Sequence, residues 1–341
     1  MHFSVVIPTY NRANLLARTL ESVWRQRFTD YEVIVVDDGS TDGTQTYLQG
    51  LGNKVRAIRQ ANSGPGASRN IGVQEARGDY VALLDSDDLW FPWTLDVFAR
   101  ALKERRCSHI LGGRFVEFTD ETELLNVREE SYEVSWFTDY LASSRHPYYV
   151  GSGTCVLRRE AFGGTKFLED RMNAEDHDLI LQMGTLPGFV RVVAPATLAW
   201  RRHPESETGD FASGVSGTQR LLARERSGAY PGGRERSRER HCILTRHIRP
   251  TALACLREGE LKQGWDLYRS TLGWNIELGH WKYLLAFPVL AALALLSPAH
   301  SRVTESAGFK LSPNREKRRS TTPIDRTDSP GSTMEKQPRS R

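Results

Sequence analysis

The sequence predicts an α/β protein in which a mostly parallel sheet carries helices on both faces and a helical C-terminal extension follows. Three observations lead there. Short apolar runs alternate with stretches of helical periodicity through the first hundred residues. The runs are continuously apolar, as strands covered on both faces require. Three of them end in loops rich in Asp, Asn, Ser or Arg, at the position where open parallel sheets bind ligands.

In chain order, FSVVI (3–7) is the first expected strand, bounded by Pro8. NLLARTLESVW (14–24) sets Leu16, Leu20, Val23 and Trp24 on one helical face. EVIVV (32–36) reads as a strand and a short helix follows at 43–49, then strand KVRAI (54–58). A helix over 66–76 closed by Gly78, strand YVALL (80–84) and a helix near 93–105 complete the rhythm. From 108 the pattern changes: HILGGRFVEF and YYVGSGTCVLRRE read as longer strands, a helix begins near Glu175, and FVRVV (189–193) is a strand. Beyond 205 the chain is polar and rich in Gly and Arg, then helical over 239–270. Residues 303–341 have the composition of a disordered basic tail.

The 341 residues are 39% hydrophobic and 26% charged, an ordinary globular composition with a net charge of +4. Basic residues cluster at Arg201–Arg202, at 224–240 and at 314–320. Such runs either seek anionic phosphate or lipid surfaces or form a solvated face; no nucleic-acid partner is expected. Cys107, Cys155, Cys242 and Cys255 are scattered without a CxxC pair, which disfavours zinc and disulfide frameworks and suits a cytoplasmic compartment. MHFSVVIP lacks the pattern of a signal peptide. YLLAFPVLAALALLSPA (283–299) is almost wholly apolar but near the short limit for a span. A helix lying at a membrane interface is the preferred reading, with a single span and a buried helix as alternatives, so a peripheral membrane contact through 281–302 is expected.

The three loops are PTYNR (8–12), DDGSTDG (37–43) and DSDD (85–88). Three carboxylates within four positions repel one another unless something positive lies among them. No G-x-G-x-x-G follows the first strand and no Walker loop occurs, so an acidic edge points to Mg²⁺ or Mn²⁺ shared with a phosphorylated ligand. In SGPGASRN (63–70), Gly64 and Gly66 would let a ligand approach the backbone and Arg69 offers a charged fork.

VVIPTYNR, VVDDGSTDGT, NSGPGASRNIG and YVALLDSDDLW, in this order, resemble the N-terminal half of family 2 glycosyltransferases with the GT-A fold. The resemblance covers residues 1–205, with a helical region over 206–302 and the tail beyond. It implies an inverting enzyme that binds a nucleotide-diphosphate sugar, by default a UDP-sugar, through a divalent metal. Pro8, Thr9, Tyr10 and Arg12 would line the nucleotide-sugar site, Asp38 would face the base, and Gly64 and Arg69 would lie near the nucleotide. Asp85, Ser86 and Asp87 would form the DxD element, with Asp87 the direct metal ligand, Asp85 a further metal candidate nearer the ribose, and Asp88 either supporting them or capping the next helix. NAEDHDLIL (173–181) resembles the family's ED motif: Asp176 is the expected general base and Glu175 the second candidate, while Asp178 is structural. An acceptor hydroxyl needs such a base because it is too weakly acidic to attack unaided.

LAWRRHPESET (198–208) is similar to the family's Arg-x-His region, where His203 would complete the metal site or touch the diphosphate. The Q-x-x-R-W motif of processive members is absent after Gln182, so transfer of one or a few sugars is expected. A saccharide or lipid-linked acceptor in cell-surface polysaccharide or glycolipid synthesis fits best. A non-catalytic nucleotide-sugar-binding subunit and a nucleotidyltransferase are the alternatives.

Overall fold

The computed structural model describes residues 1–105, 108–148, 150–203 and 210–296. Among them nine strands form one sheet in the order β3-β2-β1-β4-β8-β6-β9-β5, with β7 paired to β9. The first half comprises β1 (Phe3–Thr9), β2 (Tyr31–Asp37), β3 (Arg56–Arg59) and β4 (Tyr80–Leu83), all parallel. Thr9 lies level with Asp37, Asp37 with Arg59, and Val6 with Leu83. The loops that begin at Tyr10, Asp38 and Leu84 therefore leave the sheet at one edge.

The second half is mixed. β5 (Leu89–Trp90), β6 (Ile110–Phe118), β7 (Glu133–Phe137), β8 (Cys155–Arg158) and β9 (Phe189–Arg201) follow in the chain. β8 runs antiparallel between β4 and β6, β9 is parallel to β6, and β5 and β7 are antiparallel to β9. Helices cover both faces, as expected. α1 (Ala13–Trp24), α2 (Thr44–Gly50) and α4 (Thr94–Glu104) pack on one face. α3 (Pro65–Glu75), α5 (Glu175–Gln182) and the C-terminal helices pack on the other. The two-residue period of β1 divides these cores: Val5 and Ile7 pack with Leu16 and Leu20, whereas Val6 belongs with Leu179, Leu244 and Phe287. One apolar core thus runs from the first strand into the C-terminal helices.

Several elements depart from the sequence expectation. β8 is only four residues because Gly151–Thr154 form a loop, with Gly153 at φ +83°. α6 (Phe211–Arg226) occupies residues whose composition reads as a polar linker. Asp210 caps it by accepting from the backbone N–H groups of Ala212 and Ser213, and Val215, Leu221 and Leu222 are buried. The helix expected over 239–270 is two, α7 (Ser237–Arg257) and α8 (Leu261–Ser270), parted at Gly259 in the left-handed region. The basic stretch 224–240 is not simply a free cationic surface, because Arg224, Arg236 and Arg240 pair with Asp178, Asp139 and Glu225.

α9 (Leu272–Glu277) and α10 (Trp281–Leu296) end the described chain. Among the described residues no helix is long and apolar enough to cross a membrane. Residues 297–299 of the apolar stretch, the basic run 314–320, the expected tail 303–341 and Cys107 lie outside the described residues.

Candidate active site

The sheet edge holds its acidic residues apart by giving each its own partner. Asp38, buried at the end of β2, accepts from the Ser63 N–H and Gln60 Nε2 on one oxygen and from the Gly64 N–H at 2.8 Å on the other. It thereby pins the loop that leads into α3. Tyr10 is exposed, while Pro8 and Thr9 are buried within β1 and the Thr9 hydroxyl has no partner among the described residues. Gly64 and Gly66 serve packing: a Cβ at Gly66 would fall 2.0 Å from the Leu168 carbonyl oxygen, and one at Gly64 would meet Arg171 Cγ at 2.8 Å. The structure places protein, not open space for a ligand, against those two positions.

The DSDD turn resolves in the same manner. Asp85 Oδ1 accepts from Arg69 Nη2 at 2.7 Å. Asp87 Oδ2 accepts from Arg12 Nη1 at 2.7 Å and lies 3.0 Å from His203 Nε2. Asp88 is buried and accepts the backbone N–H of Arg201 at 2.9 Å, which anchors the end of β9. Asp88 caps no helix, since α4 begins only at Thr94 with Trp93 before it. Ser86 is buried in the turn. Burial pushes the Asp87 carboxyl up, but His203 and Arg12 outweigh it and the group stays below its ordinary range, an anion. Asp88 is pushed well up by burial and by the charges of Asp87 and Asp85.

Glu175 and Asp176 open α5, after Ala174 in a left-handed turn at φ +71°. Asp176 accepts from the Ser152 N–H at 3.0 Å and from the His177 N–H at 2.7 Å. Burial raises its affinity for a proton, but the His177 charge, these N–H donors and Arg69 prevail and hold it below the usual range. Glu175 accepts from Arg69 Nη1. Burial pushes it up to about 7, with Arg69 opposing and Asp176 adding to the rise. Arg69, expected beside the nucleotide, thus joins Asp85 to Glu175 in a buried bridge.

Among the described residues no three carboxylate, imidazole or thiolate groups converge as a metal site. Asp87 and His203 nevertheless suit a shared ion. Their separation of 3.0 Å is that of neighbouring ligands on one ion with bonds of about 2.1 Å. Asp87 is held ionised, and hard divalent ions complete their shell with substrate phosphates and water. Asp85 is engaged with Arg69 and lies outside this pair.

Residues 4–164 match Glycosyl transferase family 2. This part of the chain belongs to that family. The chain is 36% identical over 146 residues to the poly(ribitol-phosphate) beta-N-acetylglucosaminyltransferase TarS of Staphylococcus aureus, covering 38% of this chain and 26% of TarS. It is 36% identical over 125 residues to the glycosyltransferase TuaG of Bacillus subtilis, covering 36% of this chain and 50% of TuaG. The matches therefore span half or less of these curated relatives. In structure it resembles TarS 1–349 in complex with UDP-GlcNAc (TM-score 0.51, 20% identity, 82% of this chain and 92% of that one). It also resembles the mannosyltransferase PcManGT of Pyrobaculum calidifontis in complex with GDP-Man and Mn²⁺ (TM-score 0.51, 19% identity, 88% of each chain). These likenesses bear out the GT-A-like fold.

Asp178 is structural, as expected, and the residues that support it and its helix are ones the sequence reading did not name. Asp178, fully buried, pairs with Arg224 at 2.6 Å and accepts from the Tyr230 hydroxyl at 2.7 Å. Gly217 of α6 lies against the loop before α5, where an added Cβ would fall 1.9 Å from the Asn173 carbonyl oxygen. His177 packs on His247 of α7 with ring centroids 3.9 Å apart. The helix bearing Glu175 and Asp176 is thus mounted on the C-terminal region. The sequence signal was there in Arg224 and Tyr230, but it sits in a stretch whose composition reads as surface.

Proposed function

We propose that the chain is an inverting, non-processive glycosyltransferase that moves a sugar from a nucleotide diphosphate, a UDP-sugar by default, to an acceptor hydroxyl. The observation that carries this reading is the convergence of Asp85, Glu175 and Asp176 about Arg69, next to the Asp87–His203 pair. Carboxylates on the donor side and on the acceptor side of one cleft are what coupled departure and deprotonation require. The UDP-GlcNAc bound by one structural neighbour supports the donor class.

Asp176, held ionised and aligned by two backbone N–H groups, accepts the acceptor's hydroxyl proton. The oxygen's lone pair forms the new bond to C1 from the face opposite the diphosphate, and the C1–O bond to the phosphate breaks. Exposed Tyr10 would meet the nucleoside, Asp38 would shape that site through the loop it pins, and Arg12, bonded to Asp87, would face charge gathering on the leaving group. Asp87 and His203 would hold Mg²⁺ or Mn²⁺, which supplies Lewis-acid neutralisation of the diphosphate. Positioning of the two substrates in line supplies much of the remaining rate. The acceptor we propose is a saccharide, free or lipid-linked, in cell-surface polysaccharide or glycolipid synthesis.

The test is a thermal-shift screen of nucleotide sugars with Mg²⁺ and with Mn²⁺, since a ligand that binds only the native state raises its apparent stability. Release of a nucleoside diphosphate from the stabilising donor supports transferase chemistry. Stabilisation with no release on any hydroxyl acceptor would favour a binding subunit, and pyrophosphate release from a nucleoside triphosphate would favour a nucleotidyltransferase.

A further inference from the structure

α10 is apolar on every side, yet only one side is covered. Tyr283, Leu284, Phe287 and Ala291 are buried against the other C-terminal helices, where Phe287 stacks on Tyr268 and meets Trp265 edge-on. The opposite side carries Trp281, Leu285, Val289, Leu293 and Leu296 at spacings of three and four residues, with exposures from 55% to 79%. Leu272 and Ile276 of α9, which packs against α10, are exposed as well. A continuous apolar patch of this kind on a water-soluble surface marks an interaction site.

Its chemistry selects the partner. From Leu284 to Leu296 no side chain of α10 carries a hydrogen-bonding group, whereas protein interfaces fix their register with polar rims and about one hydrogen bond per 100–200 Å². A fluid hydrocarbon boundary needs no register. Trp281 and Lys282 stand at the start of the helix, the residue types that favour the headgroup level. Exposed Arg269 lies over the Trp265 ring, and Trp265 in turn touches Phe287. The chain that follows, residues 297–341, has ten Lys and Arg against five Asp and Glu. Apolar contact and positive charge are the two signals that together give stable attachment to an anionic leaflet. The helix has 16 residues, about 24 Å in length, short of the roughly 30 Å hydrocarbon core.

We propose that the exposed side of α10, with Leu272 and Ile276, docks on an anionic lipid bilayer and lies in the headgroup boundary without crossing it. This inference is independent of the transferase reading, because it concerns another surface and is tested without substrate.

The experiment is co-sedimentation of the full chain with vesicles of phosphatidylcholine alone or mixed equally with phosphatidylglycerol. The expected result is strong sedimentation with the anionic vesicles, weakened by salt, and weak sedimentation with phosphatidylcholine. L285E/L293E, both at exposed positions, should lower the apparent affinity by about tenfold or more with an unchanged melting temperature. If that pair lowers the melting temperature, Leu296→Glu at the most exposed position carries the same test. Wild-type protein left in the supernatant of both vesicle types, or sedimentation unaffected by these substitutions, would overturn the proposal. A dimer in light scattering that the substitutions turn into monomer would assign the patch to a second copy of the chain instead.

Discussion

Arg69 forms a buried ion pair with Glu175, 106 residues further along the chain. Its other terminal nitrogen holds Asp85, so one guanidinium fork serves carboxylates from the loop after β4 and from α5. Arg69→Met should leave both without a counter-charge and cost about 3–5 kcal/mol, read from the shift in urea midpoint. Arg69→Lys should fall between, because an ammonium keeps the charge but lacks the planar fork.

Glu175 also predicts a pH dependence. Its pKa rises to about 7 from an ordinary 4.5, so the folded protein binds this proton more tightly than the unfolded chain does. The stability it contributes is whole below pH 4.5 and is lost as pH rises through 7. Glu175→Gln removes the titration. The wild-type advantage over this variant should shrink across that window by on the order of 1–3 kcal/mol, measured by chemical unfolding at a series of pH values.

The two neighbouring acids should separate in kinetics. Asp176→Asn should lower turnover by about 10²–10⁴-fold while leaving nucleotide-sugar affinity intact. Normal turnover in that variant would move the base to another residue.

His203 lies on Asp87, so His203→Ala should weaken Mn²⁺ binding in the presence of a nucleoside diphosphate by about tenfold, or about 1.4 kcal/mol, in calorimetry. Unaltered Mn²⁺ affinity would remove His203 from the metal site.

Gly217 lets α6 approach the carbonyl of Asn173. Gly217→Ala should cost about 1–3 kcal/mol and depress turnover, with nucleotide affinity retained because Asp38 and Asp87 lie on other loops.

The parallel half of the fold was legible because its strands are covered on both faces, which writes an unbroken apolar run at Val5–Ile7, Val33–Val36 and Val81–Leu84. Its loops were legible because clustered Asp, Asn, Ser and Gly interrupt those apolar runs. α6 was not, because Val215, Leu221 and Leu222 are helical through what they pack against while Gly214 and Gly217 weaken any local preference. β7 was hidden for a related reason: it adds to β9 at the margin of the sheet and remains only partly buried. Within the site, Asp85, Asp87, Glu175 and Asp176 were identifiable by type and position. Arg69 and His203 were singled out too, but the bridge Arg69 makes between Asp85 and Glu175 was not legible, because the three residues lie far apart in the sequence.

The family match ends at residue 164, before α5 and the helix that presses on it. The loops proposed to hold the donor and the proposed base are thus carried by different stretches of one polypeptide, and the second stretch is bolted together by Arg224, Tyr230 and Gly217. A hybrid that grafts foreign acceptor specificity onto residues 1–164 must import α5 and its C-terminal scaffold as a unit. Exchanging either alone would tilt the proton acceptor out of line with a sugar still correctly held.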